Sequence, residues 1–185
     1  MAALEQHHGH DQGLNGIALS ATLHCLTGCA LGEVAGMIIG TAFGLSNGVT
    51  VMLAIVLAFV FGYTLTSLPL LRAGLAVAVV APIAFASDTA SIALMELVDN
   101  LIIVGLPGAL DAGLGDLLFW GALSFSLFVA GMFAFPLNRF LIARGKGHAA
   151  VHRTGIHGGP PTRVVAVLTV VLGTFGAVVL IAEAL

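Results

Sequence analysis

His24, Cys25, Cys29 and Glu33 fall within ten residues of one another in an otherwise apolar stretch. Cys25, Cys29, Glu33, Met37 and Thr41 recur at a spacing of four, and Gly28, Gly32, Gly36, Gly40 and Gly44 do the same, with His24 continuing their row. Residues four apart stack along a helix, so each row is a stripe and the two stripes are neighbours. Thiolate and thioether sulfur favour Cu(I) and also suit Zn(II), whereas carboxylates alone suit harder ions. One helix rarely supplies every ligand of a tetrahedral site. A second segment offers the rest: Asp88, Ser91, Met95 and Asp99 share one face, with Ile92, Glu96 and Asn100 on the adjacent stripe. If the two faces meet, His24, Cys25, Cys29, Glu33, Met37, Asp88, Met95, Glu96 and Asp99 enclose a metal site of sulfur, nitrogen and oxygen, and its acids can also relay protons.

Each of these residues has a plainer reading. Cysteine packs as a small apolar residue in cores, and Met37 and Met95 fill space equally well. Glu33 can be a protonated acid that bonds one helix to another. Asp88, between Ser87 and Thr89, suits an N-cap after a helix break. Glu96, Asp99, Asp111 and Asp116 can sit together in a membrane–water interface. A disulfide between Cys25 and Cys29 is strained at that helical spacing. The glycine stripe removes side chains and lets another backbone come close, whether of this chain, of a second copy or of a partner membrane protein.

The elements that position these groups follow from composition. Of 185 residues, 59% are hydrophobic and 8% charged, with a mean hydropathy of +1.11. A soluble domain carries roughly a quarter charged residues, so an integral membrane protein is expected. Read at about 20 residues per span, the apolar runs are Leu14 to Leu45, Val49 to Leu70, Ala73 to Val98, Leu117 to Ile142 and Val164 to Leu185. The expected fold is all-α, a polytopic transmembrane bundle of about five spans. Four spans are an alternative, and six result if Ala73 to Leu106 folds into a hairpin at Asp88. Leu101 to Leu106 reads as a re-entrant piece of the loop between Asp99 and Asp116.

Residues 1–13 read as a flexible tail holding His7, His8 and His10, without the pattern of a signal peptide. The remainder, 14–185, reads as one domain, with a basic loop at about 143–163. With five spans, Arg72, Arg139, Arg144, Lys146, Arg153 and Arg163 fall on one side, which the positive-inside rule makes the cytoplasm. The N-terminus lies there too. The basic run Asn138–His148 suits contact with lipid head groups. His148, His152 and His157 form a further candidate metal site in that loop. So few basic residues leave no nucleic-acid footprint. Phosphate-cradling glycine loops, H-E-x-x-H and G-x-S-x-G are all missing, so an enzyme is not expected.

The combination His24-Cys25-x-x-Gly28-Cys29-x-x-Gly32-Glu33, Asp88-Thr89-x-Ser91-Ile92 and Met95-Glu96-x-x-Asp99-Asn100 resembles a prokaryotic membrane family known only as a domain of unknown function. Pro107-Gly108-Ala109-x-Asp111, Phe119-Trp120-Gly121 and Asn138-Arg139 through Gly147-His148 are similar as well, so the likeness runs from about Leu14 to His152. The resemblance implies a compact multi-span helical protein of a prokaryotic cytoplasmic membrane and names no ion. The first expectation for function is binding and translocation of a transition-metal cation, copper first and Zn(II) otherwise, by a homo-oligomer or with a partner membrane protein. Two alternatives stand beside it: an accessory subunit docking through the glycine face, and a membrane thiol oxidoreductase.

Overall fold

The computed structural model describes residues 2–152, 154 and 162–183; the side chains of 2–12, 150, 152 and 162–166 lie outside that description. The histidines of the N-terminal tail, His152 as a ligand, and His157 altogether are therefore outside the described residues. The elements are α1 (Ala2–Phe43), α2 (Asn47–Arg72), α3 (Val77–Gly105), α4 (Leu117–Ala143), α5 (Ala149–His152) and α6 (Thr162–Glu183). Gly13–Phe43, α2, α3 and α4 are each long and apolar enough to cross a membrane. The 22-residue α6 is an apolar helix lying along α4. The all-α bundle is as expected, and it is that of an integral membrane protein. Leu31, Ile38, Val56, Val60, Leu97 and Phe133 face outwards, where lipid replaces water as the solvent.

The first helix packs against each of the other long helices. Its closest partner is α2. A Cβ on Gly28 would lie 2.9 Å from Gly62 Cα, one on Gly36 would lie 2.6 Å from Ala54 Cβ, and one on Gly32 would overlap the Ala58 backbone. Gly40 faces Thr50 in the same row. The glycine stripe is thus a seam within the chain, filled by α2. Gly44 departs from the packing reading: nothing lies within 4 Å of its Cβ position, and at φ +61 it terminates α1. There Leu45 N donates to Gly40 O at 2.9 Å, a closure that suits glycine.

The third span differs most from expectation. It is one unbroken helix, so there is no hairpin at Asp88, Asp88 is no N-cap, and Leu101–Gly105 are the end of α3 and not a re-entrant segment. The true start is at Val77, beyond the turn at Gly74 (φ +88). Pro82 sits in the second turn and forfeits one backbone hydrogen bond near the helix start, where the cost is small compared with a break in hydrocarbon. Pro69 and Pro136 are likewise carried inside α2 and α4. The loop 106–116 is pinned by Asn47 Nδ2 donating to Asp111 Oδ1 at 2.8 Å and Trp120 Nε1 donating to Leu114 O at 2.9 Å. Asp111 and Asp116 stay exposed at that end, whereas Glu96 and Asp99, read as sharing an interface with them, are buried in the bundle.

The central core joins Leu23, Cys25, Leu26 and Cys29 of α1 to Ala58, Ile92, Met95, Ala130 and Ala134. We expect Gly32→Leu to lower stability by about 3 kcal/mol, the upper end of overpacking penalties, because the added atoms meet backbone and not a movable side chain. Gly48→Ala, where nothing lies within 4 Å, should leave stability unchanged. Unfolding in mixed detergent, followed by circular dichroism, measures both.

Candidate functional site

The close α1–α2 seam leaves the second stripe of α1 facing α3 and α4. Spans one and three do meet through their polar faces. Cys29 Sγ lies 4.0 Å from Met95 Sδ, and Glu96 sits beside the same thiol. One turn towards the basic end, Cys25 neighbours Ser91. Both cysteines are buried free thiols.

Asn138 of α4 is buried, and its Nδ2 donates to Thr22 Oγ1 and to Ser91 Oγ at 3.0 Å each. This ties three helices at one level. Thr22 Oγ1 itself donates to Ala18 O at 2.8 Å. A polar side chain in an apolar helix needs such partners, because hydrocarbon offers none.

Towards the opposite end three acids converge. Glu33 faces Asp99 and Glu96. Asp99 Oδ1 accepts from Ser126 Oγ of α4. Asn100 Nδ2 donates to the Glu96 carbonyl at 2.9 Å and reaches Glu96 Oε2 at 3.5 Å. Among the described residues, Glu33 Oε1, Glu96 Oε1 and Asp99 Oδ2 are buried with no hydrogen bond of normal geometry, although Glu33 and Asp99 face each other and Glu96 adjoins the Cys29 thiol. Carboxylate oxygens accept and do not donate unless protonated, so a proton or a cation must hold this cluster together. Glu33 also reaches an open cavity of about 320 Å³ bounded by α1, α2, α3, α4 and the loop 106–116, lined further by Thr41, Asn47, Asn100 and Asp111. Met37 lines the same cavity and packs on Phe119, Leu123 and Ala112. It is a wall residue, set apart from the Cys29–Met95 pair.

At the basic end His24 and Asp88 meet a residue from the loop. His148 Nδ1 lies 3.3 Å from Asp88 Oδ1, and the His24 and His148 rings stand edge to face at 5.3 Å. One donor atom from each of the three residues lies within 4.8 Å of the others. His24 Nε2 is 2.8 Å from Thr66 Oγ1 of α2. His148, read as part of a loop site with His152 and His157, is instead carried into the bundle.

The donors of α1 and α3 are thus divided among three levels. His24 and Asp88 stand with His148; Cys25, Cys29 and Met95 lie in the middle; Glu96 and Asp99 lie behind Glu33, which alone of the three acids lines the cavity. Residues 16–147 match the family described as Domain of unknown function (DUF4396). The chain belongs to the DUF4396 family. No curated protein and no solved structure matches the chain. The DUF4396 region takes in every donor named on α1 and α3, stops one residue short of His148, and leaves α6 outside.

Sequence reasoning passed over Thr66, Ser126 and Asn138 as partners of the site. Thr66 lies among Tyr63, Thr64 and Ser67, Ser126 is two residues from Ser124 and Asn138 adjoins Arg139, so residue order did not single them out. Asn138→Ala should cost about 1 kcal/mol, since bonds between membrane helices average about 0.6 kcal/mol each and Thr22 keeps its own carbonyl partner. Unfolding in mixed detergent reads this. In a cysteine-free background, Thr41→Cys at the cavity should react with a water-soluble maleimide. In the unmodified protein, Cys25 and Cys29 should react only after denaturation.

Proposed function

We propose that this DUF4396 protein binds a transition-metal cation and passes it along the α1–α3 seam. The observation that carries the reading is the contact of Cys29 with Met95 in the buried middle of the seam, with Cys25 one turn away and the Glu33–Glu96–Asp99 cluster between that sulfur pair and the cavity. Soft sulfur donors point to Cu(I) first and Zn(II) second. The oxygen cluster, reached from the cavity through Glu33, suits the first capture of a hydrated cation and the exchange of protons against it. On this reading the basic end faces the cytoplasm, by the bias of Arg72, Arg139, Arg144 and Lys146, and the cavity opens on the other side.

The accessory reading draws less support, because the glycine face it would use for docking is filled by α2. The thiol-cycling reading has two buried thiols one helical turn apart, a poor geometry for a disulfide.

Protein whose tail histidines have been replaced (His7→Ala/His8→Ala/His10→Ala) should retain close to one Cu(I) per chain after purification, measured by elemental analysis and chelator competition. Cys25→Ala/Cys29→Ala should weaken Cu(I) binding by more than the roughly 100-fold that losing a supporting hydrogen bond costs a metal site. Glu33→Gln should slow Cu(I) uptake into proteoliposomes while the Cu(I) affinity in detergent stays close to that of the parent. Unaltered Cu(I) binding in the double cysteine variant overturns the reading.

A further inference from the structure

The loop after α4 does not leave the bundle directly. Lys146 N donates to Leu141 O at 2.8 Å as the chain reverses. Gly145 and Gly147 both adopt left-handed backbone, at φ 69 and φ 59. Two such turns in three residues send the chain back towards α3, where Gly147 O accepts from Ser87 Oγ at 3.3 Å. His148, only 6% exposed, is the residue delivered by this reversal. It arrives beside Asp88 and His24, which lie one per helix on α3 and α1. Thr66, level with them, is six residues short of Arg72 at the end of α2, so the three meet about 9 Å inside the basic end of the bundle.

Asp88 is 0% exposed, and neither of its oxygens makes a hydrogen bond of normal geometry. A carboxyl so placed is stable only with a proton on it or a cation beside it, and the groups next to it are Thr66 and, at 3.3 Å, His148 Nδ1. Two imidazoles and one carboxylate from three separate segments are the donor set of three-ligand sites for divalent first-row ions, which leave a coordination position open. Thr66 Oγ1 at His24 Nε2 and the Gly62 backbone hold the His24 ring in place beside Asp88. The Cys29–Met95 pair lies one turn and more away on α1, whereas Cys25, next to His24 and within electrostatic reach of Asp88, borders this donor set without being one of its three members.

We propose that His24, Asp88 and His148 bind a divalent transition ion of the Zn(II) class, and that the bound ion fastens the loop Gly145–His148 across the basic end of the bundle. Two ligands are fixed on helices and the third is brought by a loop, so ligation and loop closure are one event. The ion then acts on access to the bundle from that end, whatever passes along the seam. The proposal stands apart from Cu(I) binding by the cysteines and survives if that reading fails.

The test uses the full chain with His7→Ala/His8→Ala/His10→Ala, stripped of metal in detergent. Co(II) should bind at one equivalent with visible d–d absorption. His148→Ala and Asp88→Asn should each abolish it, and Cys25→Ala/Cys29→Ala should keep it. Trypsin cleavage at Arg144 and Lys146 gives a second reading on the unmutated site. With Zn(II) at about 100 times its Kd, cleavage that requires loop opening should slow about 100-fold, and EDTA should reverse this. Co(II) spectra that persist in both His148→Ala and Asp88→Asn overturn the proposal, as does cleavage indifferent to Zn(II) and EDTA. Should either variant fail to elute as the folded species, the Zn(II) effect on cleavage of the parent decides.

Discussion

The bundle depends on a stretch of helix surface with no side chains. Between α1 and α2 the backbones touch at Gly28, Gly32 and Gly36, and no larger residue fits at those points. Helices in lipid gain nothing from burying apolar surface against each other, because the solvent is equally apolar. Close backbone approach and interhelical hydrogen bonds must hold them instead. The seam supplies the first, and its tightness fixes how α1 is rotated. With the glycine stripe turned to α2, the adjoining stripe of Cys25, Cys29 and Glu33 has α3 and α4 before it.

Burial of so many polar groups follows from that rotation. Each level across the seam has been given donors and acceptors from several helices: Thr22, Ser91 and Asn138 at one level, and Glu33, Asp99 and Ser126 at another. These bonds are individually weak. Their combined effect is to fix register, since sliding α3 by one turn would part every pair at once. The acids are the exception, and one of them, Glu33, reaches the open cavity.

Much of this was legible from residue order. The two stripes on α1 and the polar face of the third span required only helical spacing, and the all-helical class required only the run lengths and the scarcity of charge; of the five spans expected, four are long apolar candidate spans among the described residues. The continuous course of α3 was harder to read. Pro82 and Asp88 are local break signals, and a membrane overrides them because a broken helix would expose backbone groups to hydrocarbon. Met37 obeyed the spacing rule yet joined an apolar cluster, because at its level α1 meets Phe119, Leu123 and Ala112 across the cavity wall. His148 could not be placed from order at all. Its position rests on backbone signs at Gly145 and Gly147 and on contacts with residues 60 and more positions earlier in the chain.

The two ends of the molecule are unlike. One has a mouth, the space above Glu33, and the other is stoppered by the chain reversal at Gly147. If a cation does pass along the seam as proposed, this shape gives it a way in and out at the cavity end alone. Net flow through it would demand a second shape in which the stopper swings aside, and the two glycines in left-handed backbone are natural pivots for that swing.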